Sequence, residues 1–307
     1  MSSTEAPRTL PLLPRVLARE EWTEREAAHQ ERVDAATATH RERRQSGRAH
    51  PVEDFLFTYY PFKPAQLRRW HPGPGVLLAD AEDLPRAGWR HYREAAGGVE
   101  LDRTAYLRAR GDLLDRVHRL VSATAARPAQ LGCFGLHEWA MVYRLEEDEV
   151  RHRGWPLRLG GAGTDAVVES LQLRCTHYDA YRFYTPPARS LNLLQPTRER
   201  QESLEQPGCL HAGMDLYKWA MKLAPAVPSN LTMDCFDLAR EIRVLDMRAS
   251  PYDLRALGYA PLPIETATGR AEYAARQRAF AERGQLLRTR LLAALDAVRG
   301  SVDVAVG

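Results

Sequence analysis

Three of the four cysteines stand close to a histidine: Cys133 with His137, Cys175 with His177 and Cys209 with His211. Such pairs supply soft and borderline ligands of the kind that hold zinc. Structural zinc sites are built on C-x2-4-C knuckles, however, and the chain has none, so thiols buried as small hydrophobes are the plainer expectation. His137-Glu138 opens like a metalloprotease helix, but Met141 stands where the second histidine belongs. No metal is therefore expected. The alternative is haem in an oxygenase of an aromatic small molecule, with His137 or His211 as axial ligand on an aromatic-rich helix.

The segment LQLRCTHYDAYRFY carries a second kind of chemistry. Leu171, Leu173, Cys175, His177, Asp179, Tyr181 and Phe183 fall on alternate positions, as a half-buried strand requires. On a strand, His177 and Asp179 would stand about 7 Å apart on one face, close enough to flank one substrate. A carboxylate among aromatic rings is what cleavage of a glycosidic bond to a cationic base needs: rings stack on the base, and the carboxylate stabilises the sugar cation or activates water. The competing expectation is an Asp179 tied up in an ion pair with Arg174 or Arg182. Further on, LDMRASPYDL ends a helix in a turn, where Arg248, together with Arg189 and Lys218, could hold a phosphate or carboxylate.

The elements that must position these groups are mostly helical. From Arg15 to about Gln45 the chain is rich in Glu, Arg and Ala without Gly or Pro, and reads as a long charged helix. Its apolar positions Val16, Leu17, Trp22 and Val33 form a thin stripe, so weak packing and a dispensable N-terminus follow. Residues 1–14, rich in proline, read as disordered. The aromatic run from Phe55 to Phe62 should plug against the core. Helices are expected within 101–128 and over about 135–147, 211–223, 230–247 and 269–298, with a β element over 155–184. The reading is a mainly α protein with a small β element (α+β). It has a disordered segment and charged helix at 1–50, then one large helical catalytic domain at 51–307.

Composition narrows the class without naming a partner. The 307 residues are 44% hydrophobic and 27% charged, ordinary for a globular protein. No apolar run approaches a membrane span and the N-terminus lacks a signal-peptide core, so a cytoplasmic protein is expected. The formal charge is only +3, but Lys63, Lys218 and Lys222 are the only lysines among 43 basic residues. Guanidinium favours bidentate phosphate contacts, although charge alone speaks weakly to partner identity.

Five strings carry a resemblance: HPVEDFLFTYYPFKPAQLRRWHPGPG, CFGLHEWAMVYR, RCTHYDAYRFYTPPAR, LQPTRERQESLEQPGCLHAGMDLYKWAMKLAP and DLAREIRVLDMRASPYDL. Over roughly residues 50–285 the chain resembles an actinobacterial family whose members usually carry the name 3-methyladenine DNA glycosylase. The Leu-Pro-Gly-x-Gly signature of helix-hairpin-helix glycosylases is absent, so no catalytic residue carries over from those enzymes. The resemblance implies cofactor-free DNA repair at the nucleoid, by hydrolysis of the N-glycosidic bond of an alkylated base flipped from double-stranded DNA. Spacing and chemistry then suggest Asp179 as the carboxylate and His177 as its partner. Trp139, Tyr143, Tyr178, Tyr181 and Trp219 would form the base pocket, and Arg182, Arg189, Lys218 and Arg248 would hold phosphates. The non-enzymatic alternative is a nucleic-acid-binding protein using the N-terminal helix.

Overall fold

The computed structural model describes residues 14–146, 149 and 154–300. In chain order, β1 (Arg15–Leu17) leads into α1 (Arg19–Gln45), followed by α2 (Phe55–Tyr59) and α3 (Pro64–Leu67). Three strands come next, β2 (Val76–Ala79), β3 (Tyr92–Ala95) and β4 (Gly98–Leu101), and then the long α4 (Arg103–Ala125). Five short helices line up behind it: α5 (Leu136–Ala140), α6 (Gly160–Ser170), α7 (Tyr178–Tyr181), α8 (Pro186–Leu191) and α9 (Gln201–Leu204). The chain closes with α10 (Leu210–Lys222), α11 (Ser229–Arg248) and α12 (Ala267–Arg299).

The long helices begin where the sequence supplies caps. Asp102 accepts from the Ala105 N–H at 2.9 Å to start α4, and Thr266 accepts from the Gly269 N–H at 3.0 Å to start α12. Each satisfies a donor that the first helical turn leaves without a partner. α10 has no side-chain cap, but every residue from Leu210 to Ala220 is buried. It packs against α11 and α12, and α12 in turn packs on α4. Leu114, Val117, Leu216, Leu238, Leu291 and Leu295 fill the interior of this bundle. Each such side chain contributes about 1.5–3 kcal/mol by leaving water. The aromatic run plugs into the same core as expected: Leu56 and Tyr60 are buried, and Phe55, Phe57, Tyr59 and Phe62 pack against them.

The mainly helical α+β architecture stands, but the sheet lies elsewhere than the sequence suggested. It is four-stranded, in the order β1-β2-β4-β3, with β1 parallel to β2 and the other pairs antiparallel. Gly98 is required at the β2–β4 contact, since a Cβ there would collide with the Leu78 carbonyl oxygen. Segment 155–184 contributes only isolated bridges, Leu157 to Tyr252 and Leu173 to Asn192. After the glycines, Thr164, Val167 and Val168 are buried at helical spacing, which makes α6. The alternation in LQLRCTH is real only as far as Cys175, because Thr176 and His177 are both buried, and the chain then coils into α7. His177 and Asp179 therefore do not share a strand face. The helix expected over 135–147 stops as α5 at Ala140, with Arg144 at φ 54°, and residue 147 lies outside the described residues, as do residues 1–13.

The N-terminal helix is bound more firmly than its thin apolar stripe implied. Trp22, His29, Val33, Thr37 and His40 are all buried, and the Trp22 indole donates to the Ala79 carbonyl at 2.9 Å. Three of these five are polar, which is why a count of apolar positions underestimates the packed face. Among the described residues, no helix is long and apolar enough to cross a membrane.

Candidate functional site

Helix α10 delivers the site. His211, Asp215, Lys218 and Lys222 follow one another at spacings of four, three and four, which places them along one stripe. In a helix buried along nearly its whole length, that stripe needs polar partners. Asp215 accepts from the Tyr60 hydroxyl at 2.7 Å and from the Lys218 ammonium, and it lies 3.2 Å from His177 Nε2. Glu205 stands 3.3 Å from the same His177 nitrogen and accepts from Gln201 at 2.6 Å. Burial would push the Asp215 carboxyl up, but Lys218 and His177 outweigh it and hold it well below the usual carboxylate range. Burial likewise opposes a charged His177, and Glu205 and Asp215 outweigh it to raise its pKa. Burial leaves Glu205 the more easily protonated carboxyl of the two.

The three histidines meet. The His211 ring packs edge-on against His137, with centroids 4.4 Å apart, and stacks on His177 at 5.3 Å. His137 Nε2 is 3.1 Å from an Asp246 oxygen. Arg243 reaches both Glu138, at 2.8 Å, and Asp246, at 3.4 Å, while its guanidinium lies over Phe55 at 3.7 Å. Burial opposes a charged His137 and Asp246 outweighs it, raising its pKa. His211 goes the other way: burial, then His137 and His177, push it well down.

Cys133, Cys175 and Cys209 also converge, around a void of about 20 Å³ lined by His137 and His211, room for no more than about one water. Burial raises the Cys175 thiol to about 12 and pushes Cys133 and Cys209 up as well. They are neutral packing groups, not thiolate ligands. Two groups among the described residues bring together ligand atoms within 4.8 Å of one another, His137 with His211 and Asp246, and His177 with Glu205 and Asp215, and neither uses sulfur.

In front of His211 opens a cavity of about 480 Å³. Its walls are Phe55, Tyr59, Tyr60, Phe183 and Tyr252, and its charged lining is Arg182, Lys218, Lys222 and Arg243 against Asp179 and Glu138. Asp179 is held by Arg182 at 3.5 Å and Lys218 at 3.6 Å, the ion pair the sequence left open. Lys222 has no ion-pair partner among the described residues, and burial followed by the nearby Lys218 lowers its pKa. A hollow of about 520 Å³ between α1 and the sheet is larger, but it contains none of the coupled acid–base groups.

The expected base pocket does not assemble from its five rings. Trp139 is wholly buried, donates to the Ala249 carbonyl at 2.8 Å and lies under Arg158. The Tyr143 hydroxyl donates to Glu169 at 2.7 Å, and that of Tyr181 donates to Gln195. Tyr178 and Trp219 line a neighbouring hollow that shares Asp179, Lys218 and Lys222 with the cavity. Of the cations, Arg182 and Lys218 reach the cavity. Arg189 donates to the Arg182 carbonyl at 3.1 Å and Arg248 to the Ala260 carbonyl at 2.8 Å. The rings that do line it come mainly from the segment read as a core plug. Asp215, Glu205 and Arg243 were not singled out as a network, although the helical spacing of His211, Asp215, Lys218 and Lys222 carried the signal. Compared with known proteins, the chain matches no family profile, no curated protein and no solved structure.

Proposed function

We propose that this protein is an enzyme acting on a small anionic molecule with a flat aromatic or heteroaromatic ring, bound in the cavity before His211. The observation that carries this is the half-buried, unpaired Lys222 beside Lys218 and Arg182, facing a wall of Phe55, Tyr59 and Phe183. A partly desolvated ammonium without a counter-ion favours an anion that brings one, and the rings favour a planar body. Arg182 and Lys222 bind the charged group, Lys218 is oriented by Asp215 and Asp179, and His211 closes the floor. Isothermal titration with aromatic carboxylates and mononucleotides tests it. Lys222→Ala and Arg182→Ala should each weaken the binding ligand about 10- to 100-fold, the range for a lost hydrogen bond to a charged group. Arg248→Ala, committed to Ala260, should not. Binding untouched by both cavity substitutions would sink the proposal.

A second reading keeps the family resemblance: hydrolysis of an alkylated base flipped from DNA, in a cytoplasmic, nucleoid-associated protein. Asp179 at the cavity, beside Tyr59 and Phe183, favours it, while the cationic lining works against a positively charged base. It predicts release of free base from alkylated duplex, slowed about 10²-fold by Asp179→Asn. Duplex binding without base release would point instead to the nucleic-acid-binding alternative. The haem alternative has less to support it, because His137 is engaged by Asp246 and the His211 ring is flanked by two other imidazoles.

A further inference from the structure

We infer that His137, His211 and Asp246 bind one divalent first-row transition-metal ion behind the cavity, with open coordination positions turned toward it. The triad draws on three elements, α5, α10 and α11, and its ligand atoms lie within 4.8 Å of one another. His137 Nε2 stands 3.1 Å from one Asp246 oxygen and 3.2 Å from the other. Ligands bound to one ion at about 2.0–2.2 Å stand about 3 Å from their cis neighbours, so this spacing suits a shared ion. Two imidazoles and one carboxylate, with no sulfur, form the donor set of mononuclear non-haem iron sites with free positions.

Two further observations point to a missing cation. Asp246 Oδ1 is buried without a hydrogen bond, although His137 Nε2 lies 3.1 Å away, an expensive condition for a carboxylate oxygen. The His211 ring is more than nine-tenths buried, yet no described residue is hydrogen-bonded to it. The carboxylates of the other triad are already partnered. Asp215 there already has the Lys218 ammonium and the Tyr60 hydroxyl, and Glu205 has Gln201. Lys218 acts as the resident cation of that half, and the ion is assigned to the first triad alone. Because His211 lines the cavity, a ligand seated there would approach the ion's open side. The assignment does not depend on the substrate class.

The competing account is an imidazolium at His137 paired with Asp246, which partners the carboxylate without an ion. The full-length protein, stripped with chelator, is titrated with Fe(II), Mn(II), Co(II) and Zn(II) and assayed for bound metal. The expected result is one equivalent per chain, with Co(II) giving visible bands of nitrogen and oxygen ligation and no intense thiolate charge-transfer band. Asp246→Asn and His211→Gln should each weaken binding by more than the 10- to 100-fold typical of an outer-shell change, while His177→Gln retains the equivalent. Should those variants misfold, electron paramagnetic resonance of the wild-type protein loaded with Cu(II) decides, by coupling to two imidazole nitrogens. No bound metal, thiolate ligation, fewer than two coupled nitrogens, or an equivalent indifferent to both substitutions would overturn the inference. Ligand titration of the stripped protein reads the cavity separately, so loss of one conclusion is distinguishable from loss of the other.

Discussion

Asp215 is the residue on which most of the buried charge depends. It faces Lys218, His177 and the Tyr60 hydroxyl at once, in a helix buried from Leu210 to Ala220. Removing one member of a buried pair costs more than the pair is worth, because the remaining charge keeps its desolvation penalty. Asp215→Asn should therefore destabilise the protein by about 3–5 kcal/mol in denaturant melts. Tyr60→Phe, which removes one hydrogen bond to the charged carboxylate, should cost about 1.5–3 kcal/mol. A double variant that also replaces Lys218 with Met should recover part of the Asp215→Asn loss, and strict additivity of the two would show that they do not interact. The sequence made His177 legible as a site residue but not its partners. Nearness in the chain pointed to Asp179, whereas the turn into α7 sends His177 toward Asp215 and Glu205, 38 and 28 positions further on.

At the scale of elements, helix period was easier to read than strand period. α10, α11 and α12 fall close to their expected limits because each runs through unbroken turns of periodic apolar residues. The short helices around the cavity were misread because a four- to six-residue turn has no period to detect. Helix α1 shows a different failure, since its packed face is half polar. His40 lies 2.8 Å from Asp54, and Arg43 donates to the same carboxylate at 3.1 Å. Burial would raise the Asp54 pKa, but the hydrogen bonds from Arg43 and His40 outweigh it and hold it below the usual range. Deleting residues 1–45 would strip the sheet of β1, uncover what Leu17, Trp22 and Val33 cover, and leave Asp54 only the His50 N–H in place of Arg43 and His40. Burial of three such side chains at about 1.5–3 kcal/mol each already rivals the 5–15 kcal/mol total of a typical domain. The truncated chain should lose cooperative thermal unfolding. A sharp transition within a few degrees of the full-length protein would show instead that the bundle folds without its N-terminal layer.

Besides the bundle and a cluster of Val52, Val142, Met247, Tyr252 and Leu254, the described residues hold a group smaller than the bundle, built on Leu17, Trp22, Trp70, Leu78, Tyr92 and Val99. In this last group, Arg86 is buried among the rings of Trp22, Trp70 and Trp89, with Glu26 as its ion-pair partner. This polar centre makes the layer sensitive to acid. His71, hydrogen-bonded to Tyr92 at 3.0 Å, is pushed down to about 3, by burial first and then by Arg86 and Arg69. His29, beside the Leu67 carbonyl at 2.9 Å, is also lowered by burial. Neither belongs to the proposed metal ligands. A histidine whose folded pKa lies below its unfolded value of about 6.5 binds its proton more readily in the unfolded chain. The unfolded state therefore gains as pH falls below about 6.5, and stability declines from there toward the folded pKa. Each unit of separation is worth about 1.4 kcal/mol, an upper bound for His71 because its side chain is only partly buried. Denaturant melts between pH 7 and 4 should show stability falling with decreasing pH, with His71 contributing close to one proton to the slope. His71→Gln keeps an acceptor for the Tyr92 hydroxyl and removes the titration, so its slope should be shallower by that proton. An unchanged slope would place the acid sensitivity in other groups and show that His71 accepts its proton without opening the layer.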